Sequence, residues 1–321
     1  MAFSAQRALL SSFRVIYERG YLWYGLNSAL TTLANKSGWS FTTETNFDPA
    51  NGDMPSALTR LCTAVCGNEA GYPAGGRTSG GTLMDDINKM IWATEVDSVI
   101  AALLGKGNRL FASGVESRLT RKGYYLGGES PTSGTETTDI EGLNFTTEAY
   151  INVATAIQDT KRTRSASYSS DTKGYHVGGT DGATRQTDIS CIVFSNETAQ
   201  NPTAVIAAAR AGCHGTQSQT RGYCGAGDNS EQRVDSLLFS TDTNTDLGAT
   251  FLTIRQEDSV GLSSTTKGYW CSGTHAGATA NIKTDVQAVN FSNDTFNDPT
   301  GVVQSPGTIQ HTGGQQWSQH Q

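Results

Sequence analysis

No run in this 321-residue chain approaches the roughly 18 consecutive apolar residues that a membrane-spanning helix needs. The opening MAFSAQRALLSSFRV lacks the uninterrupted apolar stretch of a secretory signal. There is no basic excess either: 23 Lys and Arg stand against 30 Asp and Glu, a net charge of −7. That balance excludes the electrostatic footprint of a nucleic-acid binder, and solubility accounts for it. Cysteine is scarce, six in all, too few for a disulfide scaffold of this length. Cys62 and Cys66 have CxxxC spacing but no neighbouring histidine, which argues against zinc. Cys213 and Cys224 are expected on neighbouring strands as buried thiols.

Catalytic signatures are missing as well. The chain has no Gly-x-Ser-x-Gly and no P-loop, and its histidines (His176, His214, His275, His311, His320) form no metal-spaced pair. Carboxylate neighbours such as Asp85 and Asp86 read as turn residues, not as an acid–base pair. Four Asn-x-Ser/Thr triplets fall in corners where Asn, Ser and Thr are turn chemistry, so they read as coincidence. The expectation is a non-enzymatic chain with no cofactor.

What the chain does hold is a repeat. A Gly-Tyr pair recurs at Gly20, Gly71, Gly123, Gly174, Gly222 and Gly268, with spacings of 51, 52, 51, 48 and 46 residues. An aromatic follows in phase (Phe41, Trp92, Phe145, Phe194, Phe239, Phe291), and three residues past each stands an acid: Glu44, Glu95, Glu148, Glu197, Asp242 or Asp294. Six residues before each aromatic stands Asn35, Asp86, Asp139, Asp188, Arg233 or Asp285. Markers held in phase at this period predict a propeller, one domain that grows by adding blades. With 36 glycines and abundant Ser and Thr, many short strands joined by turns are expected.

In chain order, blade 1 is expected to open with a strand over residues 7–17, followed by 20–25, 35–41 and 55–61. In blade 2, the run DSVIAALL supplies the outer strand, and residues 105–117 read as an insertion. Outer strands are expected at INVATAI (from Ile151), TAVIAAA (from Thr203), TFLTI (from Thr250) and residues 300–304. Inner strands such as those opening at Arg164 and Arg210 are rich in Gly, Ala and Ser, which suits crowding near an axis. The Arg that opens the first strand, Arg7, recurs as Arg60, Arg162, Arg210 and Arg255, each ahead of the next Gly-Tyr.

The blocks DTKGYHVGG, TDISCIVFS and NPTAVIAAAR resemble, in that order, the kelch-like β-propeller family. The resemblance covers residues 7–304 and implies an all-β, six-bladed kelch-like propeller with four antiparallel strands per blade. It departs from eukaryotic kelch repeats in lacking Trp on the outer strand. The polar TKGY..GG variant with FS-x-E/D corners looks more like kelch-like propellers of tailed-phage and cyanophage virion proteins. That likeness implies a virion location (tail, fibre or capsid-associated) and a role as assembly scaffold or host-adhesion protein. It also implies virion proteins or further copies of the chain as partners, without nucleic acid or membrane insertion. The alternative is a lectin-like propeller for a host surface glycan, although the tryptophans occupy no repeated position.

The recurring acids are expected to accept backbone N–H groups in their turns, since a feature present in every blade is architecture. One corner departs. Asp242, Asn244 and Asp246 place oxygens at alternate positions like the start of a calcium loop, but the glycine comes one place late and the twelfth-position acid is absent. Residues 1–304 are expected to form the propeller. Residues 305–321 are expected to be a polar tail that docks on a neighbour, with Trp317 as anchor and His311 beside it.

Overall fold

The structure is a computed structural model. It describes residues 19–26, 32–49, 62–78, 82–130, 135–157, 161–228, 232–249, 259–271, 273, 285–299 and 313–317. Among them there is no helix; six four-stranded antiparallel sheets form the blades of a β-propeller. Among the described residues no helix is long and apolar enough to cross a membrane.

Blade 4 shows how the sequence builds the unit. Its strands, Ala166–Ser169, Lys173–Val177, Ile189–Val193 and Thr198–Gln200, pair in chain order. The first hairpin turns on Ser170, whose Oγ accepts the Lys173 N–H at 2.9 Å; Ser218 and Ser264 do the same for Arg221 and Lys267. A hydroxyl that satisfies backbone two or three residues on is the standard chemistry of such turns. After the second strand, Gly178 and Gly179 take φ of +62° and +95°, a conformation that side chains resist. Their N–H groups reach the Asp188 and Arg210 carbonyls at 3.0 and 2.8 Å, tying the turn to its own blade and to the next.

The third strand ends in a tight corner. Each acid there has φ between +52° and +56°, and the N–H of Glu197, for example, closes on the Val193 carbonyl at 2.8 Å. Pairing of the outer strand resumes directly after the acid, which corrects several expected outer strands. They lie earlier, at Thr45–Phe47, Thr198–Gln200, Thr243–Ala249 and Thr295–Asn297. The apolar run after Thr203 is not a strand but a connection, and it buries Ile206 between blades 4 and 5. The segments expected at 7–17, 55–61 and 300–304 lie outside the described residues, as does TFLTI. The expected strands from Asp97 and Ile151 are present as Asp97–Leu103 and Ala149–Ile157.

Two further expectations are overturned. Residues 105–117 are not simply an insertion, because Ser113–Ser117 is the inner strand of blade 3. The inner strand of blade 1 comes from the other end of the chain: Gly313–Trp317 pairs antiparallel with Arg19–Leu26, Gln315 opposite Tyr21. The propeller therefore runs past residue 304, and the tail contributes a strand to the ring. The physical reason is backbone satisfaction: the free edge of Arg19–Leu26 needs a partner, and even a polar segment supplies N–H and C=O groups.

Candidate functional site

The disc has two rims. The hairpin turns and acid corners lie on one, the Gly-Gly turns and blade-to-blade connections on the other.

On the first rim, the recurring Tyr, aromatic and acid form one contact, repeated at every interface around the ring. Tyr21 stacks on Trp92, Tyr72 on Phe145, Tyr124 on Phe194, Tyr175 on Phe239, Tyr223 on Phe291 and Tyr269 on Phe41, with centroids 5.2 to 5.6 Å apart. Each ring is buried, and each hydroxyl donates to the acid three residues beyond its stacking partner: Glu95, Glu148, Glu197, Asp242, Asp294 and Glu44 in turn. Burial first, then the neighbouring carboxylate, raises the pKa of all six phenols. They therefore stay neutral and donate.

In four blades the residue before the Gly-Tyr adds a cation. Arg19, Lys122, Lys173 and Lys267 reach Glu95, Glu197, Asp242 and Glu44 at 2.5 to 2.8 Å. Blade 2 has Ala70 there, and Lys89 from the adjacent strand takes over, pairing with Glu148. So the acids are architectural, as expected, but they serve the neighbouring blade's side chains and not their own turn.

This ladder decides what the calcium-like corner does. Asp242 is committed to Lys173 and Tyr175. Asn244 donates to Asp235 and to the Val205 carbonyl, while Asp246 binds Arg233 and the Gly248 N–H. The three side chains are each drawn to different partners. Among the described residues no group of three His, Cys, Asp or Glu is arranged to hold a metal.

The second rim is held by buried arginines. Arg162 donates to the Gly178 and Asp188 carbonyls and to Ser190 Oγ; Arg210 donates to the Arg233 and Cys224 carbonyls and pairs with Asp235. Arg109 repeats the arrangement with the Gly127 carbonyl and Glu141 at 2.7 Å. Arg109 escaped the sequence reading because its blade's inner strand was counted as an insertion. Arg60 and Arg255 lie outside the described residues. In blades 3 to 5 the clamp reaches the backbone carbonyl at the start of the third strand, a contact that any residue supplies, so Arg233 can stand where four other blades have Asp.

Between the rims, inner strands meet at the axis. A Cβ on Gly215 would lie 2.1 Å from the Ser167 carbonyl oxygen, and one on Gly261 would lie 1.7 Å from that of Gly215, so neither position tolerates a side chain. Two residues further on, Cys66, Glu116, Ser169, Gln217 and Ser263 occupy equivalent places opposite the Gly of the Gly-Tyr in blades 2 to 6. Ser169 Oγ accepts the Glu116 N–H, Gln217 Oε1 that of Ser169, and Ser263 Oγ that of Gln217. Glu116 is the one ionisable carboxylate of this belt; burial pushes its pKa up to about 7, against the pull of Arg118 and the Cys66 N–H.

The two histidines among the described residues, His176 and His214, are part of the fabric. His176 is buried, and burial followed by the Arg162 charge holds it well below its usual pKa, hence neutral. His214 lends its carbonyl to Trp270 Nε1 at 3.0 Å. All six cysteines are free and buried, Cys213 and Cys224 together between blades 4 and 5. Trp317 lies in the closing strand, its backbone opposite Arg19. His311 and His275 lie outside the described residues.

Compared with known proteins, the chain matches no family model and no curated sequence.

Proposed function

We propose that this chain is a non-enzymatic structural and interaction module, a rigid disc that presents its rims to other proteins. The observation that carries the reading is the ladder. Tyrosines and acids, residue types a binding or catalytic propeller would turn toward a ligand, are spent at every interface on holding one blade to the next. A disc so braced resists deformation, which is what an assembly part requires.

The resemblance of TKGY..GG and FS-x-E/D to kelch-like propellers of tailed-phage and cyanophage virions supports the finer reading. In it the disc is a tail, fibre or capsid-associated component, acting as scaffold or in host adhesion, with other virion proteins as partners. Mass spectrometry of purified particles tests this directly, and absence of the chain from them rejects the virion role. A glycan array separates scaffold from adhesin: saturable sugar binding would move the reading to a lectin-like propeller.

A further inference from the structure

Two departures from the repeat meet each other. Two positions after the ladder tyrosine, strand pairing sets that residue opposite a core position of the third strand. Blades 2 to 6 fill it with Ile87, Ile140, Ile189, Val234 and Val286, all buried. Blade 1 has Lys36 there, opposite Trp23. Two positions after the corner acid, the other blades carry Asn46, Tyr150, Ala199, Asn244 and Phe296; blade 2 alone has a carboxylate, Asp97. Lys36 reaches across the interface and its Nζ contacts both Asp97 Oδ2 and, at 3.0 Å, the Glu95 carbonyl.

The pair is dry. Its side chains are 1% and 5% exposed, whereas the ladder pairs Lys122–Glu197 and Lys173–Asp242 keep between 23% and 29%. A lysine and an aspartate removed from water at this level carry a desolvation penalty that mutual attraction offsets only in part. An amine held against a carboxyl group away from water is placed for condensation, and fixed proximity replaces the entropy cost of bringing the two together.

We propose that Lys36 and Asp97 condense to an amide, a covalent tie between blades 1 and 2. The Nζ lone pair attacks Asp97 Cγ, the bond from Cγ to the hydroxyl oxygen breaks, and that oxygen leaves as water with one of the amine protons. The remaining N–H of the new amide keeps its acceptor in the Glu95 carbonyl. No oxidant, metal or co-reactant enters the balance, and the dry site withholds the water that reversal needs. The tie falls on the blade whose inner strand, Gly313–Trp317, comes from the far end of the chain.

Intact mass of the purified, denatured full chain tests the proposal. The expected mass is lower than the sequence mass by one water, and digestion yields one branched peptide containing both Lys36 and Asp97. Asp97→Asn should release ammonia in place of water, and Lys36→Met should return the full sequence mass. A wild-type chain at full mass, with the two residues in separate linear peptides, overturns the proposal. A water loss confined to the Asp97 peptide, a succinimide, overturns it equally.

Discussion

The two rims of the disc solve one problem by different means. On the hairpin rim, side chains join blades, and the arrangement tolerates change: Ala70 interrupts the cation series, and Lys89 fills the gap from another strand. On the Gly-Gly rim, backbone does the joining, through paired left-handed residues whose N–H groups reach two carbonyls. There the tolerance is narrower. Blade 5 keeps the conformation with Ala226 at φ +63°, where the next residue remains glycine. A side chain can be replaced by another that reaches the same atom; a backbone direction depends on dihedrals that few residues adopt.

The most severe break of both rims is deletion of residues 305–321. Without Gly313–Trp317, the edge of Arg19–Leu26 is unpaired, and the expected outcome is loss of the single cooperative thermal transition by calorimetry. An unchanged melting curve would restore the tail to a docking role. Next is the Gly-Gly rim's own clamp. Arg210→Met leaves Asp235 buried beside no cation, and breaking a buried pair in this way costs about 3–5 kcal/mol. Denaturant titration reads it, and a loss under about 1 kcal/mol would mean that water reaches Asp235.

On the hairpin rim, Tyr175→Ala should cost about 3 kcal/mol or more, since it removes a buried ring stacked on Phe239. Tyr175→Phe should cost only about 1 kcal/mol, because Lys173 still satisfies Asp242. Equal losses for the two variants would place the energy in the hydroxyl bond and not in the packing. Gly179→Ala tests the backbone side of the contrast. At φ +95°, with a Cβ set 2.7 Å from the Thr163 carbonyl oxygen, it should cost about 1–3 kcal/mol. A neutral result would show this rim to be as adaptable as the other.

The smallest expected effect is one of pH. Burial pushes the pKa of Glu116 in the folded chain up to about 7 from its ordinary 4.5, so the folded chain binds the proton more tightly than the unfolded one. Its contribution to stability is present below pH 4.5 and is lost as pH rises toward 7. Because Glu116 retains some exposure at the axis, the slope should be shallow, and Glu116→Gln should flatten it. An unaltered pH profile of melting would place the titration elsewhere.

Much of this was legible without coordinates. The in-phase Gly-Tyr, aromatic and acid determine six blades, the burial of the tyrosines and the small residues at the axis, because a repeat must satisfy the same neighbours in every copy. The outer strands were less legible. Apolar composition points to the run after Thr203, but the strand is Thr198–Gln200, placed there by a tight corner with a left-handed acid. Periodicity cannot separate a buried connection from a strand.

Which side chains meet was the larger gap. That each acid serves the preceding blade's tyrosine, that Lys89 replaces a missing cation, and that Lys36 finds Asp97 are contacts between residues far apart in the chain. The same holds for closure. The closing strand GGQQW has neither the alternation nor any β-branched residue, so its local preference says nothing of pairing. The sequence by itself determined the unit and its number of copies. Only the tertiary structure, by leaving one inner edge in need of a partner, decided that the end of the chain completes the first blade.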